Sequence, residues 1–189
     1  MGAVKRSVRV SARDVVAELP PPPSWVEPQL CKLVTQVPAG GGWAHEIKFD
    51  GYRMHARIAA KQATLLTRNG LDWTDKYPSI ATALPALNCR QAYIDGELCA
   101  VRPDGTTTFA GLQGHGQTPA AIVFFGFDLL RLDGEDLTQL PLLDRKAKLE
   151  TLLRRAAPAI RFSSHVIGNG ARVYEEAAKQ VSKGSSQRR

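Results

Sequence analysis

Strand signals dominate the chain up to Leu130, in short stretches, several of which alternate apolar and polar residues, separated by glycine-bearing dipeptides. Such alternation is the strand period, because successive side chains of an extended backbone leave opposite faces. WAHEIKF and YRMHARI read as two strands around Asp50-Gly51, ATLLT as a third before Asn69-Gly70, and AYIDGELCAV as a strand pair. AIVFFGFDLL lacks alternation and reads as a buried strand. Elsewhere the period changes. Tyr77 to Leu84 reads as a short helix, and PLLDRKAKLETLLRRA, from Pro141, spaces its leucines helically, with its Arg and Lys residues read as a solvated helix face. RFSSHVI returns as a strand, and a last helix, Ala171 to Gln180, follows Gly168 to Gly170. Gly105 to Gln117, rich in Thr and Gly, reads as a loop whose GHG lacks the strand-loop-helix context of a phosphate cradle.

Composition sets bounds on this picture. Met1 to Glu18 is a basic lead and Pro20 to Pro23 a stiff polyproline spacer, which places one domain at residues 24–180 between tails at 1–23 and 181–189. At 189 residues and 43% hydrophobic, the chain can bury one real core. Cys31, Cys89 and Cys99 are an odd set without C-x-x-C spacing, so neither a disulfide framework nor a zinc site is indicated, and a reducing cytoplasm is the expected compartment. His45, His55, His115 and His165 show no metal-ligand spacing. No apolar run approaches a membrane span and the basic start is no signal peptide, so no membrane partner is expected. A net charge of +7 favours polyanions through steering and counterion release, and serves solubility equally well.

The chemistry concentrates in HEIKFDGYR. Lys48 stands two residues before Asp50-Gly51 and five before Arg53, which gives the pattern K-x-D-G-x-R. A lysine that attacks an α-phosphate has to be uncharged at that moment, which calls for partial burial among other cations. Asp50-Gly51 is read as a tight turn beside the nucleophile, and Arg53 as a fork of donors for phosphate or ribose oxygens.

HEIKFDGYR resembles motif I of the ATP-dependent DNA ligases, within the covalent nucleotidyltransferase superfamily. Downstream, LLTRNG resembles motif Ia, AYIDGELCAV motif III and FFGFDLL motif IIIa, in the family's order. With WVEPQL upstream and His45-Glu46 ahead of Lys48, the wording is most similar to the ligase domains of bacterial non-homologous end joining. The resemblance implies an α+β nucleotidyltransferase (ATP-grasp-like) fold, its antiparallel sheets flanked by helices and the nucleotide between them. It implies ATP with Mg²⁺, and a DNA substrate that is nicked or broken and double-stranded. Lys48 is implied as the nucleophile that becomes lysyl-AMP. Glu46 would lie at the adenine edge, Arg53 at the ribose, and Arg68 near the nucleotide and the 5′-phosphate of a nick. Glu97 would bond the ribose or help place a metal, and Phe127 would stack on adenine. RNA ligases and capping-type nucleotidyltransferases share motif I.

The sequence departs from the family toward its end. Motif IV with its metal-binding glutamate, the motif V lysine and an OB-fold domain with motif VI are not found, and ungapped alignment sets Ala178 where the glutamate belongs. The expectation is therefore an incomplete adenylation domain that forms little lysyl-AMP and seals no nicks alone, and that takes the missing motifs and OB domain from a separate polypeptide. The alternative is a non-catalytic ATP- or DNA-binding remnant.

Overall fold

Three long strands carry the fold: β2 (Tyr52–Ala59), β4 (Ala92–Val101) and β5 (Ala121–Leu132), each antiparallel to the next. The computed structural model describes residues 19–35, 40–113, 120–168 and 170. The basic lead to Glu18, the GHG with His115, the helix expected over Ala171 to Gln180 and the tail at 181–189 lie outside the described residues. β3 (Gln62–Thr67) flanks β2, and β6 (Glu135–Asp136) and β7 (Ile160–Phe162) both border β5, so the large sheet runs β3-β2-β4-β5-β6 with β7 beside β5. β1 (Ala44–Glu46) and β8 (His165–Ile167) form a separate two-stranded antiparallel sheet. The helices are α1 (Pro78–Ala83), α2 (Phe109–Leu112) and α3 (Leu142–Leu153).

Alternation divides the large sheet into two faces. Met54, Ala56 and Ile58 of β2, Ile94 and Leu98 of β4 and Phe124 of β5 enter one core with Ile80 of α1 and Leu149 and Leu153 of α3. Each of these side chains larger than alanine contributes about 1.5–3 kcal/mol by leaving water. The other face carries Arg53, His55 and Arg57 from β2 and Tyr93, Asp95 and Glu97 from β4. Over it runs the N-terminal segment. Arg57 donates to the carbonyls of Pro22 and Pro23, Gln91 Nε2 donates to the Leu19 carbonyl, and the Trp25 ring covers Gly70. The residues read as a polyproline spacer thus contact the sheet.

The α+β architecture with mostly antiparallel pairing is the one expected, and the departures have local causes. AYIDGELCAV is one continuous strand rather than a pair. Its Asp95-Gly96 makes no turn, and Gly96 is there because a Cβ would sit 2.4 Å from the Phe124 ring and 2.6 Å from the Phe125 carbonyl oxygen. Asp50-Gly51 is no hairpin turn either, since β1 and β2 belong to different sheets. A Cβ on Gly51 would lie 2.2 Å from the Leu98 carbonyl oxygen, so glycine serves close approach where the chain changes sheets. RFSSHVI splits into β7 and β8, which join different sheets across Ser163-Ser164. Among the described residues the one parallel pair, β5 with β7, follows from the crossover that α3 supplies between them.

Candidate functional site

Strand register aligns one row across the polar face: Arg53 of β2 opposite Glu97 of β4, Glu97 opposite Phe125 of β5, and Phe125 beside Arg161 of β7. Just beyond it, pairing jumps from Gly96 with Gly126 to Asp95 with Asp128. Phe127 is therefore the extra residue of a β-bulge, released from the ladder and free to re-aim its ring, whose centre lies 5.4 Å from the Arg53 guanidinium carbon.

Arg53 is the most constrained candidate. Its Nε and Nη2 donate to Asp95 at 3.1 and 2.6 Å, and its Nη1 donates to the Gln29 carbonyl at 2.8 Å. The paired carboxylate raises the guanidinium pKa further above its already high value. One N–H on each terminal nitrogen is uncommitted among the described residues. Behind Asp95 lies a fully buried His55, with Nε2 3.3 Å from Asp95 Oδ1 and Nδ1 3.0 Å from Tyr93 Oη. Tyr93 Oη accepts the Val26 N–H at 3.0 Å and also bonds His55 Nδ1, so the N-terminal segment, Tyr93, His55 and Asp95 form one chain of polar neighbours. Burial alone would raise the Asp95 carboxyl, but His55 and Arg53 more than offset it and hold the group below the usual aspartate range. Burial pushes the Tyr93 hydroxyl up to about 12.

Glu97 behaves in the opposite sense. Burial raises its carboxyl above the usual glutamate range, and the nearby charges of Lys48 and Arg53 and the Gly51 backbone only partly restore it. Lys48 is thus close enough to share its field with Glu97. It is also exposed, which corrects the expectation of a half-buried amine. Lys48 lies past the end of β1, in a connecting stretch where burial falls instead to Phe49, stacked on Phe125 with ring centres 4.1 Å apart.

Glu46 ends β1 and is tied to α3. Its Oε1 lies 3.1 Å from Lys146 Nζ, and its Oε2 accepts the Ser163 hydroxyl at 3.1 Å. Lys146 is completely buried and also donates to the carbonyls of Phe127 at 2.9 Å and Ser163 at 3.3 Å. Next to it, Arg145 grips Asp128 through Nε and Nη2, both at 2.8 Å. The basic residues of α3 are therefore only partly the solvated face expected. Lys146, Leu149 and Leu153 form its buried stripe at spacings of three and four, and that periodicity was a readable sign that Lys146 faces inward.

Contacts thus link Glu46, Lys146, Phe127 and Arg53 in succession; Glu97 stands opposite Arg53 in the strand register, and Lys48 is near enough for its charge to act on Glu97. Arg68 stands apart. It lies in the turn after β3, one residue past the Met54–Thr67 pair and so level with Arg53, exposed and without a polar partner among the described residues. The turn is not a type I′: Gly70 alone has positive φ, at 78°. Asp95, His55, Tyr93, Ser163 and Lys146 were missed as contributors, because their partners are distant in sequence. A groove of about 360 Å³ between α3 and β7, lined by Glu150, Thr151, Leu153, Arg154 and Phe162, contains none of the candidates. Among the described residues no three His, Cys, Asp or Glu side chains gather as a metal cage, and no helix is long and apolar enough to cross a membrane.

Comparison with known proteins adds a family context. A family model described as ATP dependent DNA ligase domain matches residues 28–186. The chain is similar to the multifunctional non-homologous end joining protein LigD of Pseudomonas aeruginosa, 41% identical over 150 residues that cover 76% of this chain and 17% of that protein. The bifunctional non-homologous end joining protein LigD of Bacillus subtilis is 36% identical over 141 residues, 66% of this chain and 23% of that one. Among solved structures, mycobacterial DNA ligase D complexed with ATP and MES matches with a TM-score of 0.61 at 27% identity, covering 72% of this chain and 44% of that one. The chain thus spans less than a quarter of the length of either curated relative.

Proposed function

This chain belongs to the ATP-dependent DNA ligase domain family, and from that premise we propose that it forms the adenosine-binding part of a ligase adenylation site, with Lys48 as the amine that receives the adenylyl group of ATP. What supports this best is the meeting of Lys48, Arg53 and Glu97: two cations whose fields fall on one half-buried carboxyl at the point where the chain passes between the sheets. The donor set suits a nucleotide. Glu46 offers acceptor oxygens for the base edge, the bulged Phe127 an aromatic surface for adenine, and Arg53 its uncommitted N–H groups for ribose oxygens. Glu97 is an acceptor for the ribose hydroxyls.

ATP supplies the electrophilic α-phosphate. Because Lys48 is exposed, cover for its amine has to come from the bound nucleotide or from further parts of the site. The described side chains form no resident Mg²⁺ cage, so the ion enters this reading only as the companion of the triphosphate, which usually provides much of its coordination. Arg68, exposed at its turn, is assigned to the 5′-phosphate of nicked or broken double-stranded DNA. The remaining ligase functions belong to further sequence, on a continuation of this chain or on a separate polypeptide, and the cytoplasm is the natural place for end joining.

Titration of the purified chain with ATP, followed by labelling with ATP radioactive at the α-phosphate, tests the proposal. Saturable ATP binding is expected, and any covalent label must vanish in Lys48→Ala. Binding without label, even after the remaining ligase motifs are supplied in trans, favours the non-catalytic remnant. No ATP binding at all removes the reading.

A further inference from the structure

We propose that Lys146, with Ser163, is a specificity-determining positioning pair: together they hold Glu46 as a pure hydrogen-bond acceptor that reads the 6-amino group of the purine. The inference rests on the proposed nucleotide site and names what sets its base preference.

The argument begins with burial. A lysine with no exposed surface has to place its charge and its three N–H donors inside the protein, and an uncompensated ammonium there is strongly unfavourable. Lys146 meets this requirement with one charged partner, Glu46, and two carbonyls, those of Phe127 and Ser163, while its ammonium lies 5.1 Å from the centre of the Phe162 ring. All three donors are thereby accounted for. The same ammonium holds the carbonyl of the residue whose ring is assigned to adenine stacking and the carboxylate assigned to the adenine edge.

The effect on Glu46 follows from hydrogen-bond direction. Oε1 faces the ammonium and Oε2 accepts the Ser163 hydroxyl, so both oxygens are committed as acceptors and neither presents a proton. The side chain is 29% exposed, which leaves a further lone pair on each oxygen available to a ligand. Such a group rewards an amino donor and is left unpaired by a base lacking one. The two clamping residues come from α3 and from the β7–β8 crossing, so the orientation is set by the fold rather than by the rotamers of Glu46.

The test uses the full chain and two probes, ATP and purine riboside 5′-triphosphate, which differs only in lacking the 6-amino group. The unmodified chain should bind ATP about ten- to a hundredfold more tightly, the range expected for one hydrogen bond to a charged group. Lys146→Met should weaken ATP about tenfold while leaving the analogue within about twofold, so the preference collapses. Glu46→Gln should do the same. A loss of fold support would weaken both nucleotides together, and that result, or an unchanged preference in folded Lys146→Met, overturns the proposal. Should Lys146→Met not fold, Ser163→Ala decides, because the Ser163 hydroxyl bonds Glu46 alone and its loss should narrow the preference about threefold; an unchanged ratio there is equally fatal. Failure of this inference is distinct from failure of the nucleotide site: a chain that binds both probes equally keeps the site and loses the clamp, and one that binds neither loses both.

Discussion

The two faces of the large sheet are built from the same strands, residue by residue, and are stabilised by different physics. On one side Met54, Ile94, Leu98 and Phe124 meet the helices in an apolar core. On the other, Arg53, His55, Arg57, Tyr93, Asp95 and Glu97 lie two positions apart along β2 and β4, and most find a partner from outside the sheet or across it. The apolar face tolerates any neighbour of suitable shape, whereas the polar face requires a particular atom for each group. This difference explains why one face packs from nearby elements and the other recruits Pro22, Val26 and Gln29 from the far N-terminal segment.

The largest contrast expected is between the dry core and the exposed candidate nucleophile. Phe124→Ala should destabilise the protein by about 3–5 kcal/mol, since a buried phenyl leaves a cavity that a sheet cannot close. Lys48→Ala, on an exposed residue, should stay within about 0.5 kcal/mol while abolishing any adenylylation. Urea unfolding of both variants checks the pair, and a Phe124→Ala as mild as Lys48→Ala would mean that the core is not where the stability resides.

Asp95→Asn should come next, at about 2–3 kcal/mol, because it removes the buried carboxylate that pairs with the half-buried Arg53. The pH dependence has a definite sign. Asp95 has its folded pKa depressed, so its contribution is present above the unfolded value of about 3.9 and is lost as pH falls through the lower folded value. The gap between the unmodified chain and Asp95→Asn should therefore be full at pH 7 and shrink in acid. A gap that stays constant to pH 2 would falsify the pairing.

Legibility in the sequence divides along the same line. Strand period, the helical leucines of α3 and the unbroken apolar run of β5 each appear in the structure near their expected places, because burial on a dry face depends only on the chain's own periodicity. What could not be read was the purpose of each glycine and charge. Gly51 and Gly96 look like turn residues and are close-approach residues, a distinction set by the Leu98 carbonyl and the Phe124 ring. The helical period turns Lys146 inward, but its partner Glu46, a hundred positions earlier, could not be read from it. Partnerships of that range depend on topology, and topology is not written in local pattern.

A smaller effect is expected at the hairpins, which belong to neither face. Ala60 and Lys61 join β2 to β3 with φ of 49° and 59°, and Asp133 and Gly134 join β5 to β6 with 46° and 90°. Both have the positive φ pair of a type I′ turn, but only the second has turn chemistry to match. Lys61→Gly should stabilise by about 0.5 kcal/mol, the relief of left-handed strain less the added chain entropy. Thermal melts showing a loss would mean that the Lys61 side chain makes a compensating contact.

The smallest effect is the one that separates function from structure within the polar face. Glu97 sits two residues from Asp95 on the same strand and titrates in the opposite direction. Its folded pKa is raised, so its contribution to stability is full below the unfolded value of about 4.3 and is lost as pH rises through the higher folded value. At pH 7 the ionised Glu97 is therefore a burden on the fold, and Glu97→Gln should raise stability there, by less than about 0.5 kcal/mol because solvent screens a half-buried carboxylate. The advantage should disappear near pH 4, where the unmodified side chain is itself protonated. ATP binding by the same variant should weaken, since the amide presents a poorer acceptor than the carboxylate. A residue retained against stability but needed for the ligand is the pattern expected of a binding site. If Glu97→Gln instead destabilises at pH 7 and leaves ATP binding untouched, Glu97 belongs with Asp95 among the structural charges, and the polar face would then serve only to anchor the N-terminal segment.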